Sequence, residues 1–82
     1  MKSQPAHDAK AVSTRQIEVF RTVMQLGSAN RAAAALHVSQ PAITQLLQQL
    51  ESRAQLTLFD RPKGRLVPTP EAHALMEEIE RV

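Results

Sequence analysis

The sequence has no cysteine, tryptophan or tyrosine, and its only aromatic residues are Phe20 and Phe59. Without cysteine, neither a disulfide framework nor a thiolate zinc finger can hold the chain, so folding must rest on packing. With two aromatic side chains, the core has to be aliphatic and rich in leucine and alanine, a composition that suits helices. No apolar run approaches the roughly 20 residues a membrane span requires, and the first ten residues, MKSQPAHDAK, lack the apolar centre of a signal peptide. These absences lead us to expect a soluble protein of a reducing cytoplasm. Its 82 residues suffice for one small domain with a modest core.

Charge is sparse but unevenly placed. From Lys10 to Arg65 there are eight basic residues against three acidic ones, whereas the tail from Glu71 carries four glutamates against Arg81. A basic body with an acidic last helix suits a nucleic-acid binder. On charge alone, a surface charged for solubility accounts for it equally well.

Residues 1–12 contain Pro5 and no hydrophobic period, and read as a flexible arm. Ser13 with Gln16 has the form of a capping box, after which Ile17, Phe20 and Met24 recur at helical spacing up to Gly27. Val19, Val23 and Leu26 widen that apolar face. Ser28 or Asn30 can cap a second, alanine-rich helix ending near Leu36 or His37, with Ala32 to Ala35 suited to close packing.

After a connection of about three residues, Ser39 can cap a third helix. Pro41 falls in its first turn, where the missing N–H has no intrahelical partner to lose. Ile43, Leu46, Leu47 and Leu50 form the buried stripe, leaving Gln40, Pro41, Thr44, Gln45 and Gln48 on the outer side. Two helices joined so tightly read as a helix–turn–helix. In that arrangement the start of the second helix enters the DNA major groove, where amides and hydroxyls can read base edges. Taken alone, an ordinary solvated polar face explains the same pattern.

In QLTLFDRPKGRLVPT, Leu56 and Leu58, then Leu66 and Val67, suggest two short strands around a turn with Arg61, Lys63 and Arg65 at its tip. Such a wing beside a recognition helix can reach phosphates or a narrow minor groove. Thr69 is expected to cap a last helix with Pro70 at its first position, and is grouped with the wing as a phosphate or minor-groove contact. Ala72, Leu75, Met76, Ile79 and Val82 form an apolar stripe without an evident partner in the chain. Pairing with a second copy is therefore expected.

The stretch GSANRAAAALHVSQPAITQLLQQLESRAQLTLFDRPKGRLVPTPEA resembles the N-terminal winged helix–turn–helix of LysR-type transcriptional regulators. The likeness covers about residues 14–82. It rests on Gly-Ser before the Arg-Ala-Ala helix, Leu-His-Val-Ser-Gln-Pro-Ala across the turn, Leu-Glu at the end of the third helix, and Leu-Phe-Asp-Arg in the wing. The resemblance implies a homodimeric bacterial regulator acting on the nucleoid. It places Gln40, Pro41, Thr44 and Gln45 against bases, Arg31 and Ser39 near phosphates, and the wing arginines on the backbone or minor groove. It also makes the last helix the linker that pairs two DNA-binding domains. GRLVPTPEA resembles the branch that regulates lysine, arginine and opine metabolism. The chain departs from the family in having Thr44-Gln45-Leu46 where Ser-Arg-Gln is common, which implies that more of the affinity rests on the wing. The family's effector-binding domain does not follow, so a small-molecule effector is expected only if such a domain exists.

His7, His37 and His73 lie far apart without a second ligand at helical spacing, and no carboxylate pair accompanies a nucleophile. No enzyme, metal or cofactor is expected, and no membrane partner. The fold expected is mostly α: a winged helix–turn–helix over residues 13–68, with a three-helix core and a two-stranded wing, followed by a linker helix over 69–82. The expected function is binding of double-stranded promoter DNA as a homodimer on an inverted repeat, with a dimer of dimers possible in a longer protein. The competing expectation is a helical protein-interaction module that docks through Leu75, Met76 and Ile79.

Overall fold

The computed structural model describes residues 12–81. Most of the expected arm, and Val82 of the apolar stripe, lie outside that range. Among the described residues, four helices and a hairpin of two-residue strands follow one another: α1 (Thr14–Leu26), α2 (Ala29–Leu36), α3 (Gln40–Ala54), β1 (Phe59–Asp60), β2 (Val67–Pro68) and α4 (Pro70–Arg81).

Each helix starts where a hydroxyl can take up an amide that has no intrahelical partner. Ser13 Oγ accepts from Gln16 N at 3.0 Å while Gln16 Oε1 accepts from Ser13 N at 3.2 Å, the reciprocal capping box. Ser28 Oγ accepts from Arg31 N, and Ser39 Oγ from Ala42 N, each at 3.2 Å. The helices stop at left-handed residues: Gly27 (φ 74°) after α1, His37 (φ 59°) after α2 and Gln55 (φ 57°) after α3. Two residues then separate α1 from α2 and three separate α2 from α3. Such short links force the helices to pack on one another.

The core gathers Val19, Phe20 and Val23 of α1, Ala32 and Ala33 of α2, Ile43, Leu47 and Leu50 of α3, then Leu58, Phe59 and Ala72. The two aromatic rings meet edge to face, Phe20 to Phe59, with centroids 5.9 Å apart, a favoured geometry for aromatic quadrupoles. A polar tie accompanies them. Gln16 is only 2% exposed, and its Nε2 donates to Gln49 Oε1 at 3.3 Å, joining α1 to α3.

Three expectations need correcting. The stripe of α1 centres on Gln16, Val19, Phe20 and Val23; Ile17 lies half-buried on its flank, and Leu26, the last residue of the helix and beyond its last buried position, is 40% exposed. Of the four alanines expected to pack closely, only Ala32 and Ala33 are buried, since Ala34 and Ala35 turn away from the neighbouring helices. The hairpin is also shifted. It pairs Phe59 with Pro68 and Asp60 with Val67 in antiparallel register, not Leu56 and Leu58 with Leu66 and Val67. The backbone around Leu58 is already satisfied elsewhere: Leu58 N donates to the Glu51 carboxylate, and Leu58 O accepts from Thr69 N at 2.9 Å. The pairing starts one residue later, at Phe59, whose amide Glu51 also holds.

These burials predict a sharp contrast between two leucines. Leu47→Ala should lower the free energy of unfolding by about 2–5 kcal/mol, whereas Leu26→Ala should stay within about 0.5 kcal/mol. Urea denaturation of both variants measures this, and comparable losses would contradict the described core.

Candidate nucleic-acid interface

On α3 the buried stripe of Ile43, Leu47 and Leu50 leaves Gln40, Pro41, Gln45 and Gln48 exposed and Thr44 half-buried. Ser39, also exposed, accepts the Ala42 amide as the helix cap, a bond that does not use its own O–H. No hydrogen bond among the described residues engages the side-chain amides of Gln40, Gln45 or Gln48. Each therefore presents a donor and an acceptor to solvent. Pro41 sits in the first turn, where it needs no N–H and stiffens the helix start.

The wing turns over Pro62–Gly64, with Lys63 (φ 55°) and Gly64 (φ 79°) both left-handed. Gly64 N donates to Arg61 O at 3.2 Å and Arg65 N to Pro62 O at 3.0 Å, closing the tip. Arg61, Lys63 and Arg65 are all exposed, as is Arg31 near the start of α2. Among the described residues none of these four cations forms an ion pair, whereas Arg15 pairs with Glu18 and Arg81 with Glu78.

Tertiary folding brings these elements together. A cleft of about 310 Å³ is lined by Gly27, Ser28, Ala29 and Asn30 at the start of α2, Gln40 at the start of α3, and Arg61, Gly64, Arg65 and Leu66 of the wing. Two guanidinium-bearing residues thus border the first residue of α3 and the amino end of α2, whose helix dipole also favours negative charge. A phosphate-bearing backbone could settle here beside an amide able to reach a base edge. Ser28 and Asn30 also line this cleft, a placement the sequence did not show; of the two, only Ser28 caps α2.

Thr69 is a correction. It is 6% exposed, its Oγ1 donates to Thr57 O at 2.6 Å and accepts from Ala72 N at 3.2 Å. Both the burial and these bonds remove its hydroxyl from the surface that would meet a phosphate. The apolar stripe of α4 also has a partner within the chain: Ala72 is fully buried, and Leu75, Met76 and Ile79 are half-buried against the core. The small alanine allows α4 to approach closely, so Ala72 cannot serve a second copy while this packing persists. His37 forms the left-handed end of α2, and His73 is exposed on α4.

Three packed helices with a short turn between the second and third, closed by a two-stranded hairpin, define a winged helix–turn–helix domain. Residues 14–73 match the family described as bacterial regulatory helix-turn-helix protein, lysR family. This chain belongs to that family. It is 46% identical over 68 residues to the HTH-type transcriptional regulator DgcR of Pseudoalteromonas sp, covering 83% of this chain and 23% of that protein. It is 45% identical over 71 residues to the transcriptional activator protein LysR of Escherichia coli (strain K12), covering 87% and 23% respectively. The chain thus spans about a quarter of the length of these relatives. Its fold matches the crystal structure of the CbnR_DBD–DNA complex with a TM-score of 0.77 at 36% identity, covering 84% of this chain and 79% of that one.

Because Thr69 works inside the chain, Thr69→Val should destabilise the fold by about 1–2 kcal/mol through the lost cap and the unpaired Thr57 carbonyl. Thr69→Ser should recover most of it. Chemical denaturation decides the matter: a valine variant as stable as the original would return the hydroxyl to the surface.

Proposed function

We propose that this chain is the sequence-specific DNA-binding part of a bacterial LysR-type transcriptional regulator, with α3 in the major groove and the wing on the backbone or in the flanking minor groove. One observation carries the reading: Gln40, at the start of the uncharged amide face of α3, shares a cleft with the wing arginines Arg61 and Arg65. The likeness to a domain solved in complex with DNA supports it. Gln40, Pro41, Thr44, Gln45 and Gln48 form the reading face, while Arg31, Arg61, Lys63 and Arg65 meet phosphates. Ser39 reaches the backbone while it caps α3.

Two copies pair through α4, using the surfaces of Leu75, Met76 and Ile79 that the chain's own core leaves uncovered, with Val82 extending the stripe. Paired copies place their recognition helices about 10 base pairs apart on an interrupted inverted repeat, and a longer protein could join two such dimers. This activity belongs on the nucleoid, in the bacterial cytoplasm. Any small-molecule effector would act through a further domain. The interaction-module alternative lacks the support that the likeness to a domain solved in complex with DNA gives the DNA-binding reading.

The test is fluorescence-anisotropy titration against a duplex selected from random DNA, at several salt concentrations, beside a scrambled duplex. Selective binding at two chains per duplex is expected. Gln40→Ala should relax preference at particular base pairs by about 1–3 kcal/mol. Arg65→Ala should weaken binding to every sequence and reduce the salt slope by about 0.9 per chain. Equal weak binding to both duplexes by the unaltered protein would overturn the proposal.

A further inference from the structure

We infer that Glu51 is the positioning residue that references the wing to the recognition helix, acting on DNA affinity through Arg61 and Arg65. The inference rests on the DNA-binding reading above. Glu51 lies in the last turns of α3, the helix that carries Gln40 at its first position. At about 1.5 Å of rise per residue the two are roughly 16 Å apart on one rigid rod. Glu51 Oε2 accepts from Leu58 N at 2.8 Å and from Phe59 N at 3.1 Å. A single carboxylate oxygen therefore holds two successive amides of the segment that becomes the wing.

That segment has few other ways to move. Leu58 is fully buried and Phe59 is 7% exposed, with its ring edge-on to Phe20. Thr57 O and Leu58 O are taken by the hydroxyl and amide of Thr69. From Phe59 the chain passes through Asp60, paired with Val67, directly to Arg61. The wing cations thus stand a very short lever away from amides held by α3. An ionised acceptor makes shorter and stronger bonds than a neutral one. Weakening it frees the root of the wing, so the arginines pay more ordering entropy on reaching phosphates.

A Glu51 that served only the stability of the fold would cost DNA affinity equally whether or not the wing arginines were present. A Glu51 that positions them has little left to position once they are gone. The experiment is a double-mutant cycle on the full chain: Glu51→Gln alone, Arg61→Ala with Arg65→Ala, and all three together. Each is titrated against the selected duplex over a salt series, with circular dichroism confirming the fold.

Glu51→Gln should weaken binding about three- to tenfold in the original background, lower the salt slope, and leave the base preference set by Gln40 unchanged. In the arginine-free background, where Lys63 is the one wing cation left to position, the loss should be markedly smaller. The same fold-loss in both backgrounds, or undiminished affinity in the first, would overturn the inference. If Glu51→Gln does not fold, Glu51→Asp, which keeps the charge one methylene further back, is put through the same cycle and judged by the same comparison. Failure of the unaltered chain to select any sequence would instead overturn the DNA-binding reading itself.

Discussion

The constraint on which the molecule depends is the burial of one stripe of α3, Ile43, Leu47 and Leu50, beneath α1 and α2. Each such side chain is worth about 1.5–3 kcal/mol when removed from water. Rolling the helix would expose these three and bury glutamines that have no partner in the core. The rotation of α3 about its axis is therefore set by apolar packing, and the outward direction of its amide face is a consequence. A helix that reads base edges needs that rotation held, and here the hydrophobic core holds it.

Local chemistry then sets where the helices begin. Ser13, Ser28, Ser39 and Thr69 each take up an amide at a helix start. The links between the first three helices are too short to add disorder. Ser39 and Pro41 place Gln40 in the first turn of α3, at the exposed end of the helix and beside the wing. Stability and function share these residues: the cap that orders the helix also determines which side chains lead it into a groove.

The hairpin is too short to be stable by itself, with two residues in each strand. It is held from outside. Glu51 binds its root from α3, Thr69 from the start of α4, and Phe59 inserts into the core against Phe20. Its exposed tip can thus be cationic and polar without endangering the fold, because little of the stabilisation comes from the tip. The same arrangement brings α4 against the body, where Ala72 lets the helix close in.

Much of the architecture was legible because it follows from near neighbours in sequence. The capping box at Ser13 and Gln16, the proline start of α3, the outward glutamines and the basic turn depend on residues a few positions apart. What the sequence could not show depends on partners far along the chain. Gln16 reads as a mere capping residue until it meets Gln49, 33 positions away. Thr69 reads as an exposed contact until its hydroxyl finds Thr57, and the stripe of α4 looks unpartnered until Ala72 is seen in the core. Glu51 carries no local signal for the two amides it accepts. By itself, then, the sequence determined the helix starts, the polar face of α3 and the charge of the wing, because short-range sterics and hydrogen bonding govern them. Only the tertiary structure decided which polar groups remain available to a partner, because that depends on which of them the folded chain has already satisfied.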